Sequence, residues 1–449
     1  MFITAIVLLL NSCSSARHVP EGKYLLNDIH INIDDSTKSF NKDEMINYVR
    51  QQPNHKILWA VKLQLGVYNI SGKDSTKWYN KWVRKLGEAP VIYDSTLTSQ
   101  SVVHLRKAME NRGYLDAKVT FDTTINEKKR KINVDYTLIP GLPHKIKSIE
   151  YEFPNDSIKD IIMADSSSFI VRNGDNLDQR RLDALRTKFT EKLQNSGYYA
   201  FTKEFVTFNA DTTENSYDVD LTVMINPPYA PHPGAPLIQT HKPHYIRNII
   251  FVTNYDPTTF SSLDNLSAKD TVTFKDITVF YGDKHYLRPS VLEENCYLSK
   301  GEPFNTSDVN KTYQALHRLT ILKFINIQFD HIASFDGKEW LDAYILLSPG
   351  KSQSASVELE GTNSEGDLGV AASISYNHRN IGRGSETLSA KVRGAYESLS
   401  GNLEGLINNR YMEYSLDLGI SFPKFMFPFL KKEFKQKVKA TTDFNTSIN

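Results

Sequence analysis

Two cysteines, a group of three histidines and one glycine-rich turn are the residues whose type and spacing could carry chemistry. His232, His241 and His244 lie in a proline-rich stretch, and imidazoles are good metal ligands. Their spacing fits no standard zinc pattern, and His244 falls at the same place as His144 in a repeat developed below, so no metal is expected. Gly350-Lys351-Ser352 would need a glycine at position 345 to form a phosphate loop, and Ile345 stands there. The chain has no Gly-x-Ser-x-Gly and no His-Glu-x-x-His, and its carboxylates are scattered as on any solvated surface. Neither an enzyme nor a cofactor is expected. Asn377-His-Arg-Asn-Ile-Gly-Arg-Gly384 reads as a tight turn between two strands, with Gly382 and Gly384 permitting the bend. Asn377, Asn380, Gly382, Arg383 and Gly384 are its candidate site residues, and Arg383 is expected to make a specific polar contact there.

Of the two cysteines, Cys13 has the more informative setting. It follows the apolar run Phe2–Leu10 and then Leu10-Asn11-Ser12, with small polar residues after it. The order resembles a bacterial lipoprotein signal over 1–13, in which the Cys13 thiol receives lipid and becomes the first mature residue. The alternative is an ordinary signal peptide with an incidental cysteine. No Lys or Arg precedes the apolar run, which leaves a start upstream of Met1 open. Cys296 then has no disulfide partner and is expected to pack as a small apolar side chain.

Composition narrows the partners. With 53 basic and 52 acidic residues among 449, the net charge is +1, so nothing points to nucleic acid. Aromatic residues make up 11%, which suits strands ending at solvent or a membrane interface. No stretch reaches the ~18–20 apolar residues of a spanning helix. Any crossing of a membrane must therefore use strands.

Three landmarks recur in one order. A strand entry reads Leu26–Ile29, His144–Ile149 and His244–Ile249. A strand after a helix reads Val119–Asp122, Val206–Asn209 and Ile327–Asp330. A closing strand reads Val134–Leu138, Val219–Val223 and Leu341–Ile345. The second and third landmarks are 16, 14 and 15 residues apart, counted from Val119 to Asp135, Val206 to Asp220 and Ile327 to Asp342. Each closing pair alternates apolar and polar residues, the period of half-buried strands. A helix precedes each pair. Val102, Leu105 and Met109 mark the first, Leu182, Leu185, Phe189 and Leu193 the second, and Val309, Tyr313, Leu316 and Leu319 the third. Gly113 and Gly197 are positioned as left-handed caps of the first two, and the third has no such glycine. Earlier helices are expected at Lys42–Arg50 and Ser157–Met163. Each module is thus strand, helix, helix, strand, strand, an α+β unit.

This order, with Gly113-Tyr114 and Gly197-Tyr198 after the second helix, resembles the POTRA modules of the BamA/TamA superfamily of outer-membrane assembly factors. A first-module insertion over 52–98 holds Trp59, Trp78 and Trp82. Its segments Gln52–Leu58, Leu65–Asn69 and Lys85–Asp94 resemble TamL, the lipid-anchored TamA-like proteins of Bacteroidetes. The expected domains are module 1 at 22–141, module 2 at 142–228, a linker at 229–243, module 3 at 244–350 and the start of a barrel at 351–449.

In that last part, Leu388, Ala390, Val392, Gly394 and Tyr396 alternate with polar residues, as do Tyr414, Leu416, Leu418, Ile420 and Phe422. A soluble sheet with one buried face has the same period, but these segments exceed the usual ~5–6-residue soluble strand. They suit tilted spanning strands of about nine to eleven residues. Only 94 residues follow Ala355 (449 − 355). Spread over a family-like ~16 strands they would give about six each, too few to span. About five strands of an antiparallel transmembrane β-barrel, incomplete in this chain, are therefore expected. The resemblance implies an outer-membrane location with the modules in the periplasm. It implies clients bound by strand addition to module edges, a TamB-like periplasmic partner, and contact with membrane lipid. The rival readings are a secretion pore of the same superfamily and a lipid-anchored binding protein whose C-terminal sheet is soluble.

Overall fold

The computed structural model describes residues 15–34, 40–57, 61–72, 74–212, 216–228, 240–259, 262–263, 268–364, 367–398, 410–426 and 440–449. Cys13, Trp59 and most of the 229–243 linker, including His232, lie outside them. Two compact units are distinguished. One holds module 1 and the sheet of module 2, the other holds module 3 and the C-terminal sheet, and the helices of module 2 are divided between them.

In module 1, β1 (Leu25–Ile33) runs parallel to β3 (Lys131–Ile139), which pairs antiparallel with β2 (Lys118–Asn126), giving the order β1-β3-β2. The central strand follows the sequence alternation, burying Ile132, Val134, Tyr136 and Leu138. Helix α1 (Lys42–Met45) is shorter than expected: a 3-10 turn follows at Ile46–Tyr48, and Val49 is already extended. The insertion supplies α2 (Leu63–Ile70) and α3 (Trp78–Leu86). Helix α4 (Ser95–Glu110) starts where the Asp94 carboxylate accepts from the Thr96 N–H. It buries Leu105, Ala108 and Met109 against Leu26, Ile29 and the β3 side chains.

Module 2 repeats the plan with β4 (Lys145–Glu152), α5 (Asp156–Met163), α6 (Gln179–Gln194), β5 (Val206–Thr212) and β6 (Asp218–Ile225), in sheet order β4-β6-β5. The four apolar positions read from its second helix, Leu182, Leu185, Phe189 and Leu193, are all buried.

Module 3 departs from the expected element order. After β7 (His244–Val252) comes a hairpin, β8 (Asp270–Phe274) and β9 (Ile277–Tyr281), before α7 (Pro289–Glu294) and α8 (Thr306–His317). With β10 (Leu322–Phe335) and β11 (Lys338–Pro349) the sheet is β10-β11-β7-β9-β8. The hairpin extends the sheet on the outer side of the first strand, where modules 1 and 2 have only a short loop contact at the strand's start. Its strands are five residues each, too short for periodicity to announce them. Helix α8 ends at His317, and a short turn over 318–321 leads into the next strand with no glycine cap. It buries Thr312, Ala315 and Leu316 and leaves Tyr313 exposed, so its inward face is rotated from the one the apolar spacing suggested. Cys296 is buried in this module's core.

A further repeat is invisible in the sequence. Each first strand slips register by one residue at the same place, at Asn27, Lys147 and Arg247. These bulges add local twist to the parallel pair.

The C-terminal residues form one antiparallel sheet of β12 (Gln353–Ser364), β13 (Asp367–Arg379), β14 (Thr387–Ser398), β15 (Arg410–Phe422) and β16 (Thr442–Ile448), in that order. Among the described residues it is open, with β12 and β16 each bonded to one neighbour. No described helix is long and apolar enough to cross a membrane.

Candidate functional site

Strand register sorts the C-terminal sheet into two chemically distinct faces. Val357, Ile374, Val392, Leu416 and Ile448 lie directly opposite one another across all five strands. All are exposed, from 37% for Leu416 to 70% for Val357. The next rows add Leu359 and Tyr414 on one side and Tyr376 and Leu418 on the other. The opposite face is polar. There Lys391 pairs with Glu358, and Arg393 lies between Glu360 and Glu413 at 3.5 and 3.6 Å. The apolar positions from Leu388 to Tyr396 span about 26 Å of strand at ~3.3 Å per residue. Tilted by ~40°, as barrel strands are, that length covers roughly 20 Å of height, most of the ~25 Å apolar band of a spanning barrel.

The turn between β13 and β14 fastens this sheet to module 3. The Glu386 carboxylate accepts from the Gly382 and Gly384 N–H groups at 3.1 and 2.9 Å and pairs with Arg288 at 3.1 Å. Asn380 donates its Nδ2 to the Tyr286 carbonyl at 2.6 Å and accepts from the Ser385 N–H at 2.8 Å. The Arg288 N–H donates to the Arg383 carbonyl, and the Ser385 hydroxyl accepts from the Ile321 N–H. Burial opposes ionisation of Glu386, but the backbone N–H groups of Glu386, Gly384 and Gly382, with Arg288, outweigh it and hold the carboxyl below its usual range.

This geometry revises the roles given to the turn residues. The left-handed positions are Asn380, Arg383 and Ser385, not the glycines. Gly384 is needed for space: a Cβ there would overlap Glu386 Oε1 and come within 2.9 Å of Arg288, whereas one on Gly382 would only sit tight, 3.1 Å from the same carboxylate. Arg383 contributes its carbonyl, and no hydrogen bond or ion pair of its guanidinium is found among the described residues. Asn377 lies within β13, opposite Ser354 and Ser389, rather than in the bend. Glu386 and Arg288 were missed. A glutamate directly after a Gly-x-Gly turn hinted at the first; nothing local could connect it to an arginine 98 residues earlier.

Gly113 and Gly197 have φ of +92° and +104°. Each also serves a joint to the next module. The His144 N–H donates to the Gly113 carbonyl at 2.7 Å, and the His244 N–H to the Gly197 carbonyl at 2.8 Å. Those histidines in turn accept, through their carbonyls, from the Leu177 and Phe304 N–H groups. The equivalence of His144 and His244 is therefore a backbone one. His241 packs edge-on against Phe201 and His244 against Tyr199. Among the described residues no group of ligating side chains could hold a metal.

The module sheets also have edges. Strands β2, β5 and β10 are each paired on one side only, and β2 and β5 are largely exposed. The first strands are covered to different extents: segment 91–93 bonds to Tyr24 and Leu26 at the start of β1, Asp175 to Ile146 at the start of β4, and in module 3 β9 pairs with β7.

No protein-family model matches this chain, and no curated protein matches it by sequence. Solved structures similar to it include the POTRA3-5 region of BamA from Haemophilus influenzae, at 14% identity over 74% of this chain and 99% of that one, with a TM-score of 0.35. BamA from Haemophilus ducreyi lacking POTRA domains 1–3 is similar at 12% identity over 62% of this chain and 48% of that one, TM-score 0.36. CdiB from Acinetobacter baumannii is similar at 10% identity over 62% of this chain and 41% of that one, TM-score 0.30. The chain thus spans less than half the length of the two longer structures. TM-scores at this level assign nothing beyond themselves.

Proposed function

We propose that this chain is a lipid-anchored outer-membrane assembly factor of the BamA/TamA superfamily. Its modules bind extended client segments, and its C-terminal strands begin a transmembrane barrel. The observation that carries the reading is the apolar row running from Val357 to Ile448, which faces outward across five strands. An exposed apolar face of this extent is unstable in water and is satisfied by hydrocarbon. The ion-paired opposite face suits a wet barrel interior.

Client capture follows from the one-sided strands β2, β5 and β10. An extended segment pairs with such an edge through backbone groups, so its side chains are read only loosely. That tolerance is what a factor with many clients requires. The mechanism uses no nucleotide or cofactor. A TamB-like periplasmic partner and the acyl chains on Cys13 belong to the same reading. The anchored turn at 380–386 couples module 3 to the barrel start, so module and sheet move as one body in this mechanism.

Carbonate extraction of native membranes tests the barrel: the chain should stay in the pellet, and its release would sink the membrane reading. Prolines at Thr123 and Ala210, whose N–H groups face away from β3 and β6, should abolish client crosslinking to modules 1 and 2 by removing edge donors. Crosslinking that survives both, with the modules still folded, would exclude pairing at these edges.

A further inference from the structure

Helix α3 of the insertion inverts the usual pattern of a surface helix. Its inward face is polar. Asn80, only 4% exposed, accepts from the Gly72 N–H at 2.8 Å and donates to the Asp74 carbonyl at 2.7 Å. Arg84 turns the same way, reaching the Ser71 hydroxyl at 3.1 Å and the Gly72 carbonyl at 2.9 Å. At 100° per residue the opposite arc presents Lys81, Lys85, Trp78, Trp82, Leu86 and Tyr79 in succession. Trp78 is 79% exposed and Trp82 60%. Water disfavours such a face. Trp and Tyr flanked by lysines are the side chains that settle at the headgroup level of a bilayer, and the helix itself contains no acidic residue.

The chain just after Cys13 is clamped beside this helix. The Ser15 carbonyl accepts from Asn69 Nδ2 at 3.2 Å, Arg17 donates to the Asn69 carbonyl at 3.0 Å, and the His18 ring contacts the Ser71 carbonyl at 3.2 Å. Asn69 and Ser71 lie at the end of α2, and Ser71 is also held by Arg84 of α3. Cys13 is two residues before Ser15, within about 7 Å at full extension. On the lipoprotein reading, an acyl chain on Cys13 would therefore enter a bilayer beside the insertion.

We propose that the outward face of α3 is a bilayer-docking surface, which lays module 1 against anionic lipid next to the anchored Cys13. The placement rests on the lipoprotein reading of Cys13. The inverted helix is an independent observation and stands without it.

The test uses the full chain reconstituted in vesicles of phosphatidylethanolamine and phosphatidylglycerol. A nitroxide is placed at Leu86→Cys or, as a control exposed on α4 of the same module, at Val103→Cys. Accessibility to oxygen is compared with accessibility to a water-soluble nickel chelate. The oxygen-to-nickel ratio at Leu86 should rise severalfold on reconstitution, while that at Val103 stays unchanged. The rise should be lost with Lys81→Glu/Lys85→Glu, or in vesicles of phosphatidylcholine alone. A Leu86 label as open to nickel as Val103 overturns the proposal. A label shielded from both reagents also overturns it, because a protein then covers the face. Mass spectrometry of the N-terminal peptide reports acylation separately. Acylation without a Leu86 signal refutes docking and spares the anchor, whereas a signal retained in Cys13→Ser supports docking without it.

Discussion

Gly384→Ala tests whether the β13–β14 turn is held by one carboxylate. The substitution needs no change of backbone region, because Gly384 is not among the left-handed residues. Its methyl group instead takes the space of Glu386 Oε1. The carboxylate must leave its cradle and lose the hydrogen bonds from Gly382 and Gly384. Bonds to a charged acceptor contribute about 1.5 kcal/mol each at the low end, so the two together give about 3 kcal/mol. A loss of that size accelerates local opening about 100-fold, since 1.4 kcal/mol is roughly tenfold. Hydrogen exchange over 380–387, measured in the full chain in detergent, reads that factor. Glu386→Ala should produce a similar acceleration, and the double variant should be little worse than either alone, because both remove the same interaction. Additive effects in the double variant would refute the mechanism.

Further outcomes follow from the same geometry. Because the folded Glu386 carboxyl is held below 4.5, its contribution is complete above that pH and is lost as pH falls through the folded value. Protection of 380–387 should therefore drop in acid in the parent but not in Glu386→Gln. Val392→Lys, at the centre of the apolar row, should cost about 2–4 kcal/mol of barrel stability in lipid; Ser356→Lys on the polar face, opposite Ser375, should by comparison cost little in a urea titration in vesicles. Burial, reinforced by His331, lowers the His244 pKa below 6.5. The folded state then binds fewer protons than the unfolded one, so module 3 should lose stability as pH falls below 6.5, and His244→Gln should flatten that slope in a thermal melt. Gly197→Ala should cost about 1–3 kcal/mol from the positive φ alone, with added crowding by Pro243 at 3.0 Å, read as a lowered midpoint in the same melt.

How much of this was legible in the sequence follows from the range of each interaction. Period-two alternation at Ile132–Leu138 and Leu388–Tyr396 is local, and both segments form strands as read. The helix cores at Leu105 and Met109, and at Leu185 and Phe189, follow from spacing alone. The module 3 hairpin escaped because two five-residue strands give too few positions to establish a period. The repeated bulges escaped because a bulge is a property of a strand pair, and the partner residues lie 73 to 106 positions away, from Ile146 to Val219 and from Leu26 to Ile132. The same distance hid Arg288 from Glu386. Tryptophans 78 and 82 were visible as residues, but their outward orientation depends on Asn80 and Arg84 being satisfied inside.

On the membrane reading proposed above, the two-faced register of the C-terminal sheet also acts as an error check on assembly. A strand that pairs one residue out of place turns every side chain over. In β14 that slip would carry Lys391 and Arg393 away from Glu358, Glu360 and Glu413 and into hydrocarbon. The penalty is about 2–4 kcal/mol for each charge near the midplane, before the exposed valine and tyrosine are counted. Misregistered pairings are thus far less stable than the correct one while the sheet is still open. A strand added at β12 or β16 would meet the same test, so on that reading the bilayer proofreads the register in which the wall is built.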